Sequence, residues 1–189
     1  MNERINMLSE QIGFREWLDC RNITNCFGQN HCIDESVFKM PLKALSVRQP
    51  WATLSALGIK TLEIRTWATK FRGLYLIHSS GQRDYQANMI MKTDQNVFDK
   101  YGDVKTPRAS IIAIAELSDC FPMLPEHETA SCCRYYNGLF AHAISGVFPI
   151  EPIPMKGRLN YFQTELTIGD LSPLSLDKAE KLIAGKNYW

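Results

Sequence analysis

Charge of one sign is what this sequence most conspicuously lacks. Its 189 residues carry 21 Lys and Arg against 20 Asp and Glu, a formal net charge of +1. That balance excludes a histone-like chain and a strongly acidic disordered one. No run approaches the ~18 apolar residues of a membrane helix; the longest, 111–115, is strand-sized. The start, Met1-Asn2-Glu3-Arg4-Ile5, lacks the charged-then-apolar pattern of a secretory signal. A cytoplasmic, intracellular protein with no membrane partner is therefore expected. Internal repeats and low-complexity tracts are also missing, which excludes solenoids and fibres.

Paired cysteines are missing too. Six cysteines stand at 20, 26, 32, 120, 132 and 133, and none of the gaps has the C-x₂₋₄-C spacing of a zinc site. Without a secretory signal they read as reduced thiols. Neither a metal nor a cofactor is expected.

What is present suffices for a core: 45% hydrophobic and 11% aromatic residues, in a length that fits one large domain or one domain with appendages. The charge is unevenly spread. Residues 1–39 hold four basic and six acidic side chains, and 166–189 hold three of each. Residues 43–72 hold Lys43, Arg48, Lys60, Arg65, Lys70 and Arg72 against the single acid Glu63, a local net of +5. The positive charge is confined to one stretch.

The chain divides into three parts. Residues 1–39 form an N-terminal extension whose Ile5, Leu8, Ile12, Trp17 and Leu18 approximate one helical face. Residues 40–165 are dense in punctuation: extended runs at 42–47, 61–67, 74–78, 110–117, 138–150 and 161–166 alternate with turn signals. Pro50 opens a short helix that Gly58 closes. Residues 83–100 are helix-compatible, and 166–189 form a C-terminal segment in which a short helix is expected at 176–183. The expected fold class is α+β, a small mixed β-barrel with flanking short helices.

Chemistry concentrates around the basic stretch. Arg48, Gln49 and Trp51 stand at a strand-to-helix corner, and Lys60 at the return to the sheet. Glu63 and Arg65, two apart on a strand, share a side and give 61–67 one charged, accessible face, with Trp67 following on it. Cations for phosphate, an amide that donates and accepts, and flat rings are the means of holding a nucleotide. Plainer readings stay open: Trp51 as core, Glu63 with Arg65 as a surface pair, Lys70 and Arg72 as solvated loop charges.

The ordered series Leu45-Ser46-Val47-Arg48-Gln49-Pro50-Trp51, the run Gly58-x-Lys60-x-x-Glu63-x-Arg65, and Thr66 through Gly73 resembles the ASCH domain family. Leu76-Ile77-His78-Ser79 and the island Ile153-Pro154-Met155-Lys156-Gly157-Arg158-Leu159 resemble it as well. Together they bracket residues 42–165, about two thirds of the chain. The resemblance implies a PUA-like β-barrel with a cleft beside its first helix, and RNA or other nucleic-acid binding. Lys60, Glu63 and Arg65 would line that cleft, with Arg48, Gln49, Lys70, Arg72, His78 and Lys156 as candidate neighbours. The expected partner is RNA, single-stranded nucleic acid or a nucleotide.

Two alternatives accompany this reading. Some ASCH proteins resemble amidohydrolases on acylated cytidine that use a lysine, a threonine three residues later and a glutamate. Here the residue three after Lys60 is Glu63, so a hydrolase acting on nucleosides or RNA would rest on Lys60 and Glu63. A protein-interaction role through residues 1–39 is the other alternative.

Overall fold

The computed structural model describes residues 38–85, 87, 100, 101 and 107–186. Residues 1–37 of the expected helical extension at 1–39, with its Cys20, Cys26 and Cys32, and most of the expected helix at 83–100 lie outside the described residues. Six strands follow in chain order: β1 (Lys43–Gln49), β2 (Leu62–Arg65), β3 (Gly73–Arg83), β4 (Ser110–Pro122), β5 (Phe140–Pro154) and β6 (Tyr161–Gln163). Short helices α1 (Trp51–Ala56), α2 (Glu128–Ser131) and α3 (Leu176–Ile183) lie between and after them. The last occupies 176–183, where a short helix is expected, with Leu182 buried and Lys181 2.6 Å from Asp177 one turn earlier.

The strands make one sheet in the order β2-β5-β4-β3-β1-β6. Only β1 and β3 run parallel, and the crossover this demands contains α1 and β2. Alternation sorts each strand between two apolar layers. Leu45, Val47, Tyr75 and Ile77 pack with Trp51 and Leu54 of α1 on one face. Ala44, Leu76, Ile111, Ile114 and Ile150 pack with Phe162 and Ile168 on the other. The run 111–115 is buried on both faces, which explains why it reads as continuously apolar.

The expected barrel is not closed. Edge strands β2 and β6, four and three residues long, form no hydrogen-bonded pair with each other. Rings span the gap instead. Tyr161 of β6 stacks on His142 of β5 with centroids 5.8 Å apart, and Trp67, just beyond β2, meets the His142 ring edge-on at 4.8 Å. The sheet curls, and its seam is sealed by side chains because the edge strands are too short to offer a ladder.

Two local features set the corner beside α1. Gln49 is buried and every polar group it has is used: Nε2 donates to Ser79 Oγ and to the Pro107 carbonyl, and Oε1 accepts from the Thr53 amide. After α1, Gly58 takes a φ of +68°, a left-handed turn that glycine makes without a Cβ clash. The Lys60 amide then returns to the Leu54 carbonyl, which aims the lysine side chain back under the helix.

Candidate functional site

A cleft of about 770 Å³ opens beside α1. Its walls come from the end of β1 (Ser46, Arg48), the end of β3 (His78, Ser80), β2, and the loops before β5 and β6. Ser46, Arg48, His78 and Ser80 continue the face that carries Ala44 and Leu76 past its apolar end, and Val47, Gly81 and Gln82 join them at the strand ends.

The floor is a charge cluster, buried at Lys60 and Glu63 and partly exposed at Arg65. Lys60 is 2% exposed, and its Nζ donates to the carbonyls of Leu62 and Ser131, 2.6 Å each. The same ammonium stands 3.5 Å from Glu63 Oε2 and 5.9 Å from the centroid of the Trp51 ring. Glu63 Oε1 lies 3.1 Å from Arg65 Nη2, which also donates to the Ser46 carbonyl at 2.6 Å. Two cations and one carboxylate are thus packed against backbone acceptors from β1, β2 and α2. The charged face of 61–67 was expected to be accessible; instead Glu63 is buried, because β5 pairs alongside it and α2 covers Lys60.

Two histidines flank this floor, both buried. His78 lies opposite Ser46 in the parallel register, with Nδ1 3.1 Å from Ser46 Oγ and Nε2 2.9 Å from the Met155 carbonyl. Burial holds His78 below the ordinary imidazole value, against the opposing pull of the Met155 carbonyl. His142 is lowered by burial too, while its bond to the Trp67 carbonyl and the nearby Glu63 pull the other way. Both are therefore neutral near pH 7. Gly157 lies so close that a Cβ there would stand 2.6 Å from Ser46 Oγ and would collide with His78 Cε1. Cys133 lines the cleft 4.0 Å from Lys60 Nζ, and burial pushes its thiol up, away from a reactive thiolate. Among the described residues, no three His, Cys, Asp or Glu stand together in a way that would hold a metal ion.

A sequence profile of the ASCH domain matches residues 45–155, more than half of the chain. The chain belongs to the ASCH domain family. ASCH domains have a PUA-like fold and are linked in general to RNA binding. A crystal structure of ASCH from Zymomonas mobilis is 16% identical, covers 75% of this chain and 92% of its own, and superposes with a TM-score of 0.41. A serine-to-alanine mutant of the Zymomonas mobilis protein gives 13% identity, 78% and 96% coverage and a TM-score of 0.38. No curated protein sequence matches the chain.

In this ASCH domain the sequence-derived residues separate into two groups. Arg48, Lys60, Glu63, Arg65 and His78 line the cleft, as do Trp51 and Trp67. Trp51 is at once wall and core: it is buried, and its Nε1 donates to Asp84 Oδ2 at 3.0 Å. Gln49, Lys70, Arg72 and Lys156 are not among the lining side chains. Gln49 braces the corner, and Arg72 turns away to Asp119 Oδ1 at 2.7 Å and to the carbonyls of Thr69 and Phe71. Lys43, also of the basic stretch, lies 4.9 Å over the Phe71 ring. The local +5 of residues 43–72 is therefore dispersed, and only three of its six cations reach the cleft.

The ASCH cleft gains cations from elsewhere. Arg134 and Tyr136 come from the loop between α2 and β5, and Arg158 and Leu159 from the loop between β5 and β6. Arg158 and Leu159 belong to an island the sequence does mark, although only Lys156 within it invites attention as a basic neighbour. No sequence signal marks Arg134 or Tyr136. Among the described residues, no helix is long and apolar enough to cross a membrane.

Proposed function

We propose that this ASCH domain binds RNA, or another single-stranded nucleic acid or nucleotide, in the cleft beside α1. The observation that carries the proposal is the charge of the lining. Arg48, Lys60, Arg65, Arg134 and Arg158 face two acids, Glu63 and Asp84, a surplus of three positive charges on a chain whose total is +1. Both acids are engaged by protein groups, Glu63 by Lys60 and Arg65, and Asp84 by the Trp51 indole. Lys60 and Arg65 contribute field from below, while the exposed Arg48, Arg134 and Arg158 are placed for phosphate contacts. Residues 40–165 are the binding unit in this proposal. A protein partner held through 1–39 would coexist with it, and a pull-down that depends on 1–39 is its test.

The geometry favours binding over hydrolysis. A lysine acting as base or nucleophile needs its lone pair, whereas Lys60 donates to two carbonyls and faces a carboxylate. Fluorescence anisotropy with short single-stranded RNA tests the binding reading. Affinity should be measurable at low salt and fall steadily as salt rises. Absence of binding to any RNA or nucleotide at low salt would overturn it. RNA and acylated cytidine incubated with the protein should be recovered unchanged; product formation that Glu63→Gln abolishes would replace the binder with the hydrolase.

A further inference from the structure

The cleft mouth carries a feature that one bound nucleotide does not require. Two loops from different parts of the chain, 132–139 and 155–160, each present an exposed arginine beside an exposed apolar side chain. In the first, Arg134 stands two residues before Tyr136, which is 66% exposed; in the second, Arg158 is followed by Leu159, which is 90% exposed. All four line the same cleft. Tyr136 and Leu159 are two of the five large hydrophobic side chains left exposed among the described residues, and of those five they are the two that line the cleft. Leaving a phenol ring and a leucine bare beside cations has no role in holding the fold, because neither is packed.

We infer that the occupant of this cleft is a single strand of several nucleotides. One nucleotide sits over the Lys60–Glu63–Arg65 floor, and its neighbours are held at the rim by Arg134 with Tyr136 and by Arg158 with Leu159. The inference rests on the binding reading above and specifies the class of ligand. A ring such as Tyr136 stacks on any base face, and an arginine one or two residues away meets the backbone that carries that base. Leu159 supplies the apolar surface for a base on the other loop. Only a strand whose bases are splayed can use such contacts, since a duplex keeps its bases stacked on one another. The rim chemistry is sequence-tolerant, because Tyr136, Leu159 and the two arginines offer faces and charges that any base and any phosphate can use.

The test compares lengths on the full chain. Anisotropy is measured with labelled adenosine and cytidine monophosphates, RNA trimers and hexamers, and a hexamer duplex. The hexamer should bind at least tenfold more tightly than the monophosphates and the duplex. Tyr136→Ala with Leu159→Ala should weaken the hexamer by about fivefold to a hundredfold, from the usual worth of base stacking, and leave the monophosphates unchanged. Since both side chains are exposed, unfolding curves of this variant should match the wild type. Monophosphates binding as tightly as the hexamer, a duplex binding as tightly as the single strand, or a hexamer affinity indifferent to the double substitution would each overturn the inference and leave the cleft assignment standing. No binding by any probe would overturn the cleft assignment itself. Equal weakening of monophosphates and hexamer by the double substitution would also contradict the rim role, because the rim would then be part of the single-nucleotide site.

Discussion

The floor and the rim of the cleft are built from the same kinds of charge and differ in what that charge touches. On the floor, Lys60, Glu63 and Arg65 are paired with one another and with the carbonyls of Ser46, Leu62 and Ser131, and Glu63 Oε2 and Arg65 Nε are their buried atoms left without a hydrogen bond. On the rim, Arg48, Arg134 and Arg158 are exposed, and no ion pair holds them among the described residues. Lys60, Glu63 and Arg65, at the centre of the family motif, are thus tied more tightly into the protein than the rim arginines. These three hold the α1 corner, β2 and α2 in register and set the potential above them. In the proposed reading, contact falls to Arg48 at the end of β1 and to Arg134 and Arg158 on the loops, outside the Lys60–Glu63–Arg65 run.

The comparison breaks most visibly at Lys60. Lys60→Ala leaves Glu63 short of one cation and two buried carbonyls without a donor, and should destabilise the fold by about 3–5 kcal/mol. A urea midpoint that scarcely moves would show that the floor is not structural. Next in size is Gly157→Ala, where the new methyl meets Ser46 Oγ and a His78 ring pinned at both nitrogens. Overpacking of this kind costs about 1–3 kcal/mol, read in the same denaturation experiment; an unchanged midpoint would mean that the 155–160 loop yields freely.

A smaller effect follows from the two buried histidines. Both are held below their ordinary value, chiefly by burial. As the pH falls through about 6.5, the unfolded chain takes up protons that the folded chain refuses. Stability should therefore be flat above about pH 6.5 and decline below it, until the lowered folded values are reached. Urea midpoints measured from pH 7.5 to 5 check this, and a midpoint that holds or rises on acidification would contradict it. Asp119, Glu151 and Asp170 are lowered too, by amide, lysine and threonine hydrogen bonds respectively, and add their loss only at more acid pH. Smallest of all should be the stability effect of Arg48→Gln, Arg134→Gln and Arg158→Gln, within about 0.5 kcal/mol each.

This division also marks what the sequence could disclose. Alternation along 61–67 does put Glu63 and Arg65 on one side, and the Pro50 and Gly58 punctuation does bound α1. Those relations are local, with periods of two and of a helical turn. Burial of the charged face was not legible, since it comes from β5 and α2, whose pairing partners lie about seventy to eighty residues downstream. The basic stretch misled for the same reason: Arg72 is adjacent to the motif in sequence yet finds its carboxylate at Asp119. Tyr136 and Arg134 enter the cleft only because the sheet order sets β5 against β2. Barrel closure failed where short edge strands left the seam to Trp67, His142 and Tyr161, and no periodicity reports on that.

In the proposed reading the rim holds the ligand over a floor that holds the fold. This is tested most directly by the salt dependence of single-stranded RNA binding in wild type and in the combined Arg48→Gln, Arg134→Gln, Arg158→Gln variant. Each phosphate contact on a single strand contributes about 0.7 to the slope of log affinity against log salt. The variant should lose affinity, and its slope should fall by roughly two, with unfolding curves superimposed on the wild type. An unchanged slope and affinity in the variant would contradict the account.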